Sequence, residues 1–143
     1  MRVVGLDIGE VRTGVAVSDP EERVANPITV LDTKRLLADP RPLRELVRES
    51  DVGMLVVGLP LTMAGEEGPQ ARRVRELGDR LADLLRLPVE YADERLSSAE
   101  AQRVLRAAGR TEREQRGIAD MIAAALLLQT WLDARGRQER PHD

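Results

Sequence analysis

The chain has 143 residues, a length typical of one folded domain. Apolar residues make up 42% of it and charged residues 33%, a balance that supports a buried core and argues against general disorder. The sequence contains no cysteine, which excludes disulfides, thiolate catalysis and zinc sites with sulfur ligands. Its one histidine, His142, lies next to the last residue, so catalysis by a firmly held histidine base is not expected.

The 25 acidic and 22 basic side chains leave a net charge of −3, so overall charge neither indicates nor excludes nucleic-acid binding. Tyr91 and Trp131 are the only aromatic residues, too few for a platform on which bases stack. Asp7 interrupts the first apolar run before a signal peptide develops, and no uninterrupted apolar stretch is long enough to span a membrane. We therefore expect a cytoplasmic location, no membrane contact and recognition of any nucleic acid through its backbone.

Apolar runs in the first part of the chain predict three strands, at residues 2–8, 13–17 and 24–31. The short segment between the first two predicts a tight turn. Pro27 lacks a backbone donor, so it places the third strand at an edge of the sheet. The three strands are predicted to form a meander.

Helices and strands alternate in the rest of the chain. The predicted order is a helix at 40–50, a strand at 52–57, a helix from Pro69, a strand at 88–92, a helix at 97–109 that begins with a capping box, a polar linker at 110–116 and a helix from 117 to about 134. This order predicts an α/β fold in which helices flank a mixed, five-stranded sheet. Residues 1–135 are predicted to form the single domain, and 136–143 a flexible C-terminal tail.

Acidic residues stand at the carboxyl ends of two predicted strands, where ligands gather in open α/β sheets. They are Asp7 and the pair Asp93 and Glu94, and a further acid, Asp120, borders the apolar stretch of the last helix. Carboxylates brought together from these elements would repel one another unless hard cations such as Mg²⁺ or Mn²⁺ lay between them. The alternatives are ordinary ones: turn capping by Asp7 and Asp93, a surface charge at Glu94 and a helix-dipole interaction at Asp120.

Four ordered motifs make the sequence similar to the YqgF/RuvX family. They are Asp7 to Asp19, Val57 to Leu61, Asp93 to Ser97 and Asp120 to Gln129, within a resemblance that covers about residues 3–133. The resemblance implies an RNase H-like fold and a nuclease that acts on the 5′ end of pre-16S ribosomal RNA, with Holliday junction resolution, by analogy with RuvC, as an alternative activity. It also implies that Asp7, Glu94 and Asp120 are catalytic acids that bind metal, with two Mg²⁺ or Mn²⁺ ions expected.

The sequence departs from the family pattern at two places. Ala64 follows Met63 in the glycine-rich loop, where the family often carries an acid. The linker at 110–116 interleaves acids with its arginines, whereas the family's linker is typically rich in lysine, so a weaker grip on phosphate is expected there.

Four further residues are assigned to substrate binding: Arg12, Gly58, Pro60 and Arg95. The two arginines lie near proposed catalytic acids and are predicted to contact phosphate, with surface ion pairs as the alternative. Gly58 and Pro60 belong to the loop that follows the central strand 52–57.

Two other classes of protein compete with a nuclease. Actin-like ATPases and sugar kinases also open with an Asp-x-Gly turn, but they need a second domain that 143 residues cannot supply. A non-enzymatic module that binds RNA or associates with transcription remains the alternative of a different class. Among nucleic acids the family resemblance favours an rRNA precursor over branched DNA, and symmetric junction cleavage would in addition need a dimer. The sequence shows no spare apolar face for one, which favours a monomer.

Overall fold

The computed structural model describes residues 1–95, Arg103 and residues 112–139 of the chain. The strands are β1 (Arg2–Ile8), β2 (Arg12–Ser18), β3 (Ala25–Asp32), β4 (Val52–Leu59) and β5 (Val89–Asp93), and the helices are α1 (Thr33–Ala38), α2 (Arg41–Glu49), α3 (Pro69–Leu85) and α4 (Glu112–Glu139). The helix predicted at 97–109, with its capping box, lies outside the described residues except for Arg103, which is helical.

The five strands form one mixed sheet in the order β3-β2-β1-β4-β5, which confirms the predicted architecture. β1, β2 and β3 are antiparallel neighbours, whereas β4 pairs in parallel with both β1 and β5. A turn closed by a 2.9 Å hydrogen bond from the Gly9 N–H to the Arg12 carbonyl joins β1 to β2. β3 lies at the edge, as Pro27 predicts, and β1 lies at the centre of the sheet.

Helices cover the two faces of the sheet unequally. On one face, α1, α2 and α3 pack against alternate strand residues, including Val4, Leu6 and Ile8 of β1, and we call this the first core. On the other face, α4 is the helix among the described residues that forms the second core, with Val3, Ala16 and Val56 from the strands. Because side chains alternate along a strand, Asp7 lies on the same face as Val3, beneath α4.

The last helix is longer than the sequence predicts. It begins at Glu112, so the prediction of a linker extending to residue 116 is wrong, because glutamate, arginine and glutamine are good helix formers even without an apolar stripe. Residues 136–139, assigned to a flexible tail, are helical as well. Gly136 costs a helix only about 1 kcal/mol, so it does not end α4, which continues to Glu139.

Residues 117–136 of α4 are long and apolar enough to cross a membrane by length and composition alone. Their apolar character has a local explanation, because Ala124, Leu128 and Leu132 of this segment are buried in the second core. Asp120 and Asp133 also lie within it.

Candidate active site

A glycine on β2 brings α4 close to Asp7. Gly14 pairs with Asp7 across the β1–β2 ladder. A Cβ atom at Gly14 would collide with the backbone carbonyl of Asp120, so only glycine lets α4 approach β2 this closely. The first part of the described helix therefore places Asp120 beside Asp7, which the distance between them in sequence could not show.

A second glycine, on β4, makes room for Glu94 on the other side of Asp7. Gly58 lies one residue beyond the pair formed by Leu6 of β1 and Val57 of β4. A Cβ atom at Gly58 would stand 3.3 Å from Glu94 Cβ, and the Glu94 N–H donates to the Leu59 carbonyl at 3.1 Å. Glu94 thus lies over Gly58, on the same face as Asp7.

The three acids interact electrostatically. Burial raises the pKa of Glu94 to about 9, and its hydrogen bond with Asp7 and the charges of Asp7 and Asp120 add to the effect. Burial also raises the pKa of Asp7, where the Asp120 charge acts in the same direction and the hydrogen bond with Glu94 opposes it. We interpret Asp7 and Glu94 as a pair that shares one proton when no cation is present.

Asp120 is bound to an arginine from the β1–β2 turn. Nε of Arg12 donates to Asp120 Oδ2 at 2.5 Å, and both side chains remain partly exposed. This contact is an ion pair. In the sequence analysis, such a pair is the alternative to a phosphate contact by Arg12. A phosphate contact by Arg12 stays a prediction.

Arg95 is held by Asp93 and the glycine-rich loop. Its guanidinium donates to both carboxylate oxygens of Asp93, between 2.6 and 3.0 Å, which lowers the pKa of Asp93. Its Nη1 atom donates to the carbonyls of Thr62 and Met63 at 3.2 and 3.4 Å. Glu94, and not Asp93, is therefore the acid that joins Asp7, and a phosphate contact by Arg95 would compete with these bonds.

Gly58 and Pro60 stay predicted substrate residues, although the structure gives Gly58 a packing role. Gly58 is buried under Glu94 and Leu127, and Pro60 is half-buried just after β4. Sequence reasoning missed Gly14, whose signal was available: a glycine inside a strand often marks a close approach of another backbone.

The three acids offer only oxygen ligands, the donor type that hard divalent cations prefer. Within residues 1–95, 103 and 112–139, no group of three or more acidic or histidine side chains is already arranged to hold a metal ion. The reason is visible in the contacts, since Glu94 bonds to Asp7 while Asp120 bonds to Arg12. The donor chemistry fits Mg²⁺ or Mn²⁺, provided that the shared proton leaves and Asp120 turns from Arg12.

Comparisons with known proteins agree on one family and one fold. The chain matches a family model described as "RuvX: Holliday junction resolvase" over residues 1–134. A relative from Anaeromyxobacter sp. (strain K), provisionally named a pre-16S rRNA nuclease, is 48% identical over 135 residues, covering 94% of this chain and 98% of its own. A relative with the same provisional name from Thermosynechococcus vestitus is 44% identical, covering 94% of this chain and 89% of its own.

A solved structure supports the fold independently. RuvC of T. thermophilus, in complex with a Holliday junction substrate, superposes with a TM-score of 0.59 at 18% identity and covers 99% of each chain. At this identity the likeness concerns the fold, and it confirms the predicted RNase H-like architecture.

Proposed function

The chain belongs to the RuvX family, and from this premise we propose that it is a metal-dependent nuclease that processes the 5′ end of pre-16S rRNA. Its activity as a hydrolase of phosphodiester bonds agrees with the names of its relatives and with the RuvC-like fold. The support for rRNA as the substrate comes from the provisional names of the relatives alone.

The observation that carries the proposal is the half-buried carboxylate pair of Asp7 and Glu94 with Asp120 beside it. Burying acids together raises their pKa values and destabilises their charged forms, so the cluster costs stability. Acids with such shifted pKa values are typical of functional sites. A divalent cation is the partner that converts this repulsion into binding.

We assign the roles as follows. Asp7, on the central strand, lies between Glu94 and Asp120, and these three carboxylates would hold the two Mg²⁺ or Mn²⁺ ions. When bound, the two ions supply activation of a water molecule and stabilisation of the leaving oxygen. Before the ions bind, Arg12 holds Asp120 in place. Once Asp120 ligates an ion, the Arg12 guanidinium would become available to a phosphate oxygen.

Cleavage of matched substrates tests the proposal. A pre-16S rRNA fragment and a four-way DNA junction would each be incubated with Mg²⁺ or Mn²⁺ and with the wild-type protein, Asp7→Asn or Asp83→Asn. Asp83 is exposed on α3, on the opposite face of the sheet, so it serves as the control for loss of one acid. We expect RNA cleavage that Asp7→Asn reduces by about 1,000-fold or more and that Asp83→Asn leaves unchanged.

Junction resolution is the second candidate, because the family description and the RuvC neighbour favour it. A stable dimer that cuts the junction symmetrically and leaves the RNA intact would replace rRNA processing by this activity. Binding of RNA without cleavage, unchanged by Asp7→Asn, would instead indicate the non-enzymatic module.

A further inference from the structure

One apolar side chain near the acids has no evident role in the fold. Met63, in the loop between β4 and α3, is 97% exposed, whereas the next most exposed large apolar residue among the described ones, Met1, is 69% exposed. Single exposed apolar residues are common on protein surfaces and need no explanation on their own. The surroundings of Met63 set it apart.

The backbone that carries Met63 is firmly held. The Thr62 N–H donates to the Glu66 carbonyl at 2.9 Å, and the Gly65 N–H donates to the Thr62 carbonyl at 2.8 Å. The Glu66 N–H donates to the Thr62 hydroxyl at 3.1 Å, and Gly65 supplies the positive φ of +80° that the turn needs. Five residues of loop therefore form a fixed turn with Met63 at its tip.

A long-range contact fixes this turn to the acid site. Arg95 donates to the Thr62 and Met63 carbonyls while Asp93 holds the same guanidinium by two oxygens. Glu94 lies between Asp93 and Arg95 in the chain. The tip with Met63 is thus tied to the residue that follows a proposed catalytic acid.

The aromatic residues of the chain are engaged elsewhere. The Tyr91 hydroxyl lies 2.8 Å from the Arg75 carbonyl and 2.5 Å from Asp79 Oδ1, the two acceptors available to its proton, and its ring lies under the Arg75 guanidinium. The Trp131 indole N–H donates to Glu90 at 2.8 Å. In the described part of the chain, a base near the acids would therefore find no aromatic ring, and its apolar contacts would be Met63 and the shorter, β-branched Val11, which is 64% exposed in the β1–β2 turn.

We propose that Met63 is a wedge that inserts beside a base next to the cleaved phosphate and unstacks it from its neighbour. Methionine suits this role because its thioether is unbranched, polarisable and adaptable, and apolar wedges of this kind open base steps in other nucleic-acid complexes. A fixed backbone keeps the ordering cost of such a contact low. The inference rests on the proposed nuclease function, since it needs a nucleic-acid substrate at Asp7 and Glu94.

Fluorescence of 2-aminopurine tests the wedge directly, because this base brightens when it loses its stacking partner. The pre-16S fragment and the four-way junction would carry it on either side of the bond that the wild-type protein cleaves, with Ca²⁺ replacing Mg²⁺ during binding. We expect the wild-type protein to raise the fluorescence of the substrate it cleaves. Met63→Ala should abolish the rise and slow cleavage by about tenfold, and Met63→Leu should restore both.

Ile28→Ala is the matched control, because Ile28 is an exposed apolar residue on the edge strand β3 and should leave both signals unchanged. Met63 makes no core contact, so Met63→Ala should melt at the wild-type temperature. Cleavage and fluorescence that are the same in Met63→Ala as in the wild type would overturn the wedge while leaving the nuclease intact. A wild-type protein that cleaves neither substrate would overturn the proposed function instead.

Discussion

On the face of the sheet toward α1, α2 and α3, strand β1 presents Val4, Leu6 and Ile8, whereas toward α4 it presents Val3, Gly5 and Asp7. The first face is filled by large aliphatic side chains from three helices. The second combines leucines of α4 with glycine and alanine positions that let this helix approach closely, and it ends in the acid cluster. We therefore expect substitutions on the first face to act mainly on stability, whereas the close approach of α4 on the second face brings the acids together.

The largest effect on stability is expected on the first face. Leu55 of β4 is fully buried in the first core, and Leu55→Ala would leave a cavity there. We expect a loss of about 2 to 5 kcal/mol in the free energy of unfolding, measured by urea denaturation. Under conditions in which Leu55→Ala is fully folded, its kcat should equal that of the wild type. A lower kcat there would mean that the two faces are not independent.

A smaller loss of stability with a larger loss of activity is expected at Gly14→Ala. The new Cβ meets the backbone of Asp120, which cannot rotate away as a side chain would, so α4 must shift from β2. We expect a cost of about 1 to 3 kcal/mol. Because Asp120 moves with the helix, nuclease activity should fall further than in Leu55→Ala, and equal activity in the two folded variants would argue against the close approach.

The acid pair should make stability depend on pH in the metal-free protein. Glu94 has its pKa raised to about 9, so between its ordinary pKa near 4.5 and this value the folded state holds a proton that the unfolded state has lost. The free energy of unfolding therefore falls as pH rises through this window. In Glu94→Gln the fall should shrink, and because one proton corresponds to about 1.4 kcal/mol per pH unit, the variant should gain up to about 4 kcal/mol on the wild type between about pH 5.5 and about pH 8.5.

Urea denaturation in EDTA measures this difference. Glu76→Gln, at an exposed position of α3, is the control and should follow the wild-type pH profile. Parallel profiles for Glu94→Gln and the wild type would show that Glu94 is not the group that keeps the proton.

The smallest effect is expected at Arg12→Ala. Its ion pair with Asp120 is partly exposed, and such pairs contribute about 1 kcal/mol or less to stability. If the guanidinium also contacts phosphate, the salt dependence of nucleic-acid binding should flatten by about one counterion. The measurement is nucleic-acid affinity over a range of salt concentrations. An unchanged slope of log affinity against log salt concentration would show that Arg12 makes the ion pair and does not contact phosphate.

The sequence predicts the sheet well because its strands follow from local patterns. The apolar run of Arg2–Ile8 and the edge position imposed by Pro27 need no tertiary information. Helix α1 was missed because its six residues are too few for a periodic pattern, and it is held by the Asp32 cap and by the buried contact between Thr33 and Thr13. The start of α4 was missed because residues 112–116 carry no apolar stripe.

The acids could be predicted only in part. Strand ends indicated Asp7 and the pair Asp93 and Glu94, but the choice between the last two depends on Arg95, which binds Asp93. The shared proton of Asp7 and Glu94 depends on burial beneath α4, which no local pattern contains. The family resemblance supplied the choice of Glu94, and the contacts give its physical reason.

Calorimetric titration of Mn²⁺ into the metal-free protein tests most directly whether the acids form one metal site. In two buffers of different ionisation enthalpy at about pH 7, binding should release about one proton per protein, because the cation displaces the proton that Asp7 and Glu94 share. Asp7→Asn should weaken binding by about 100-fold or more, and Asp83→Asn should not. Mn²⁺ binding without proton release, and with the same affinity in Asp7→Asn, would contradict the account.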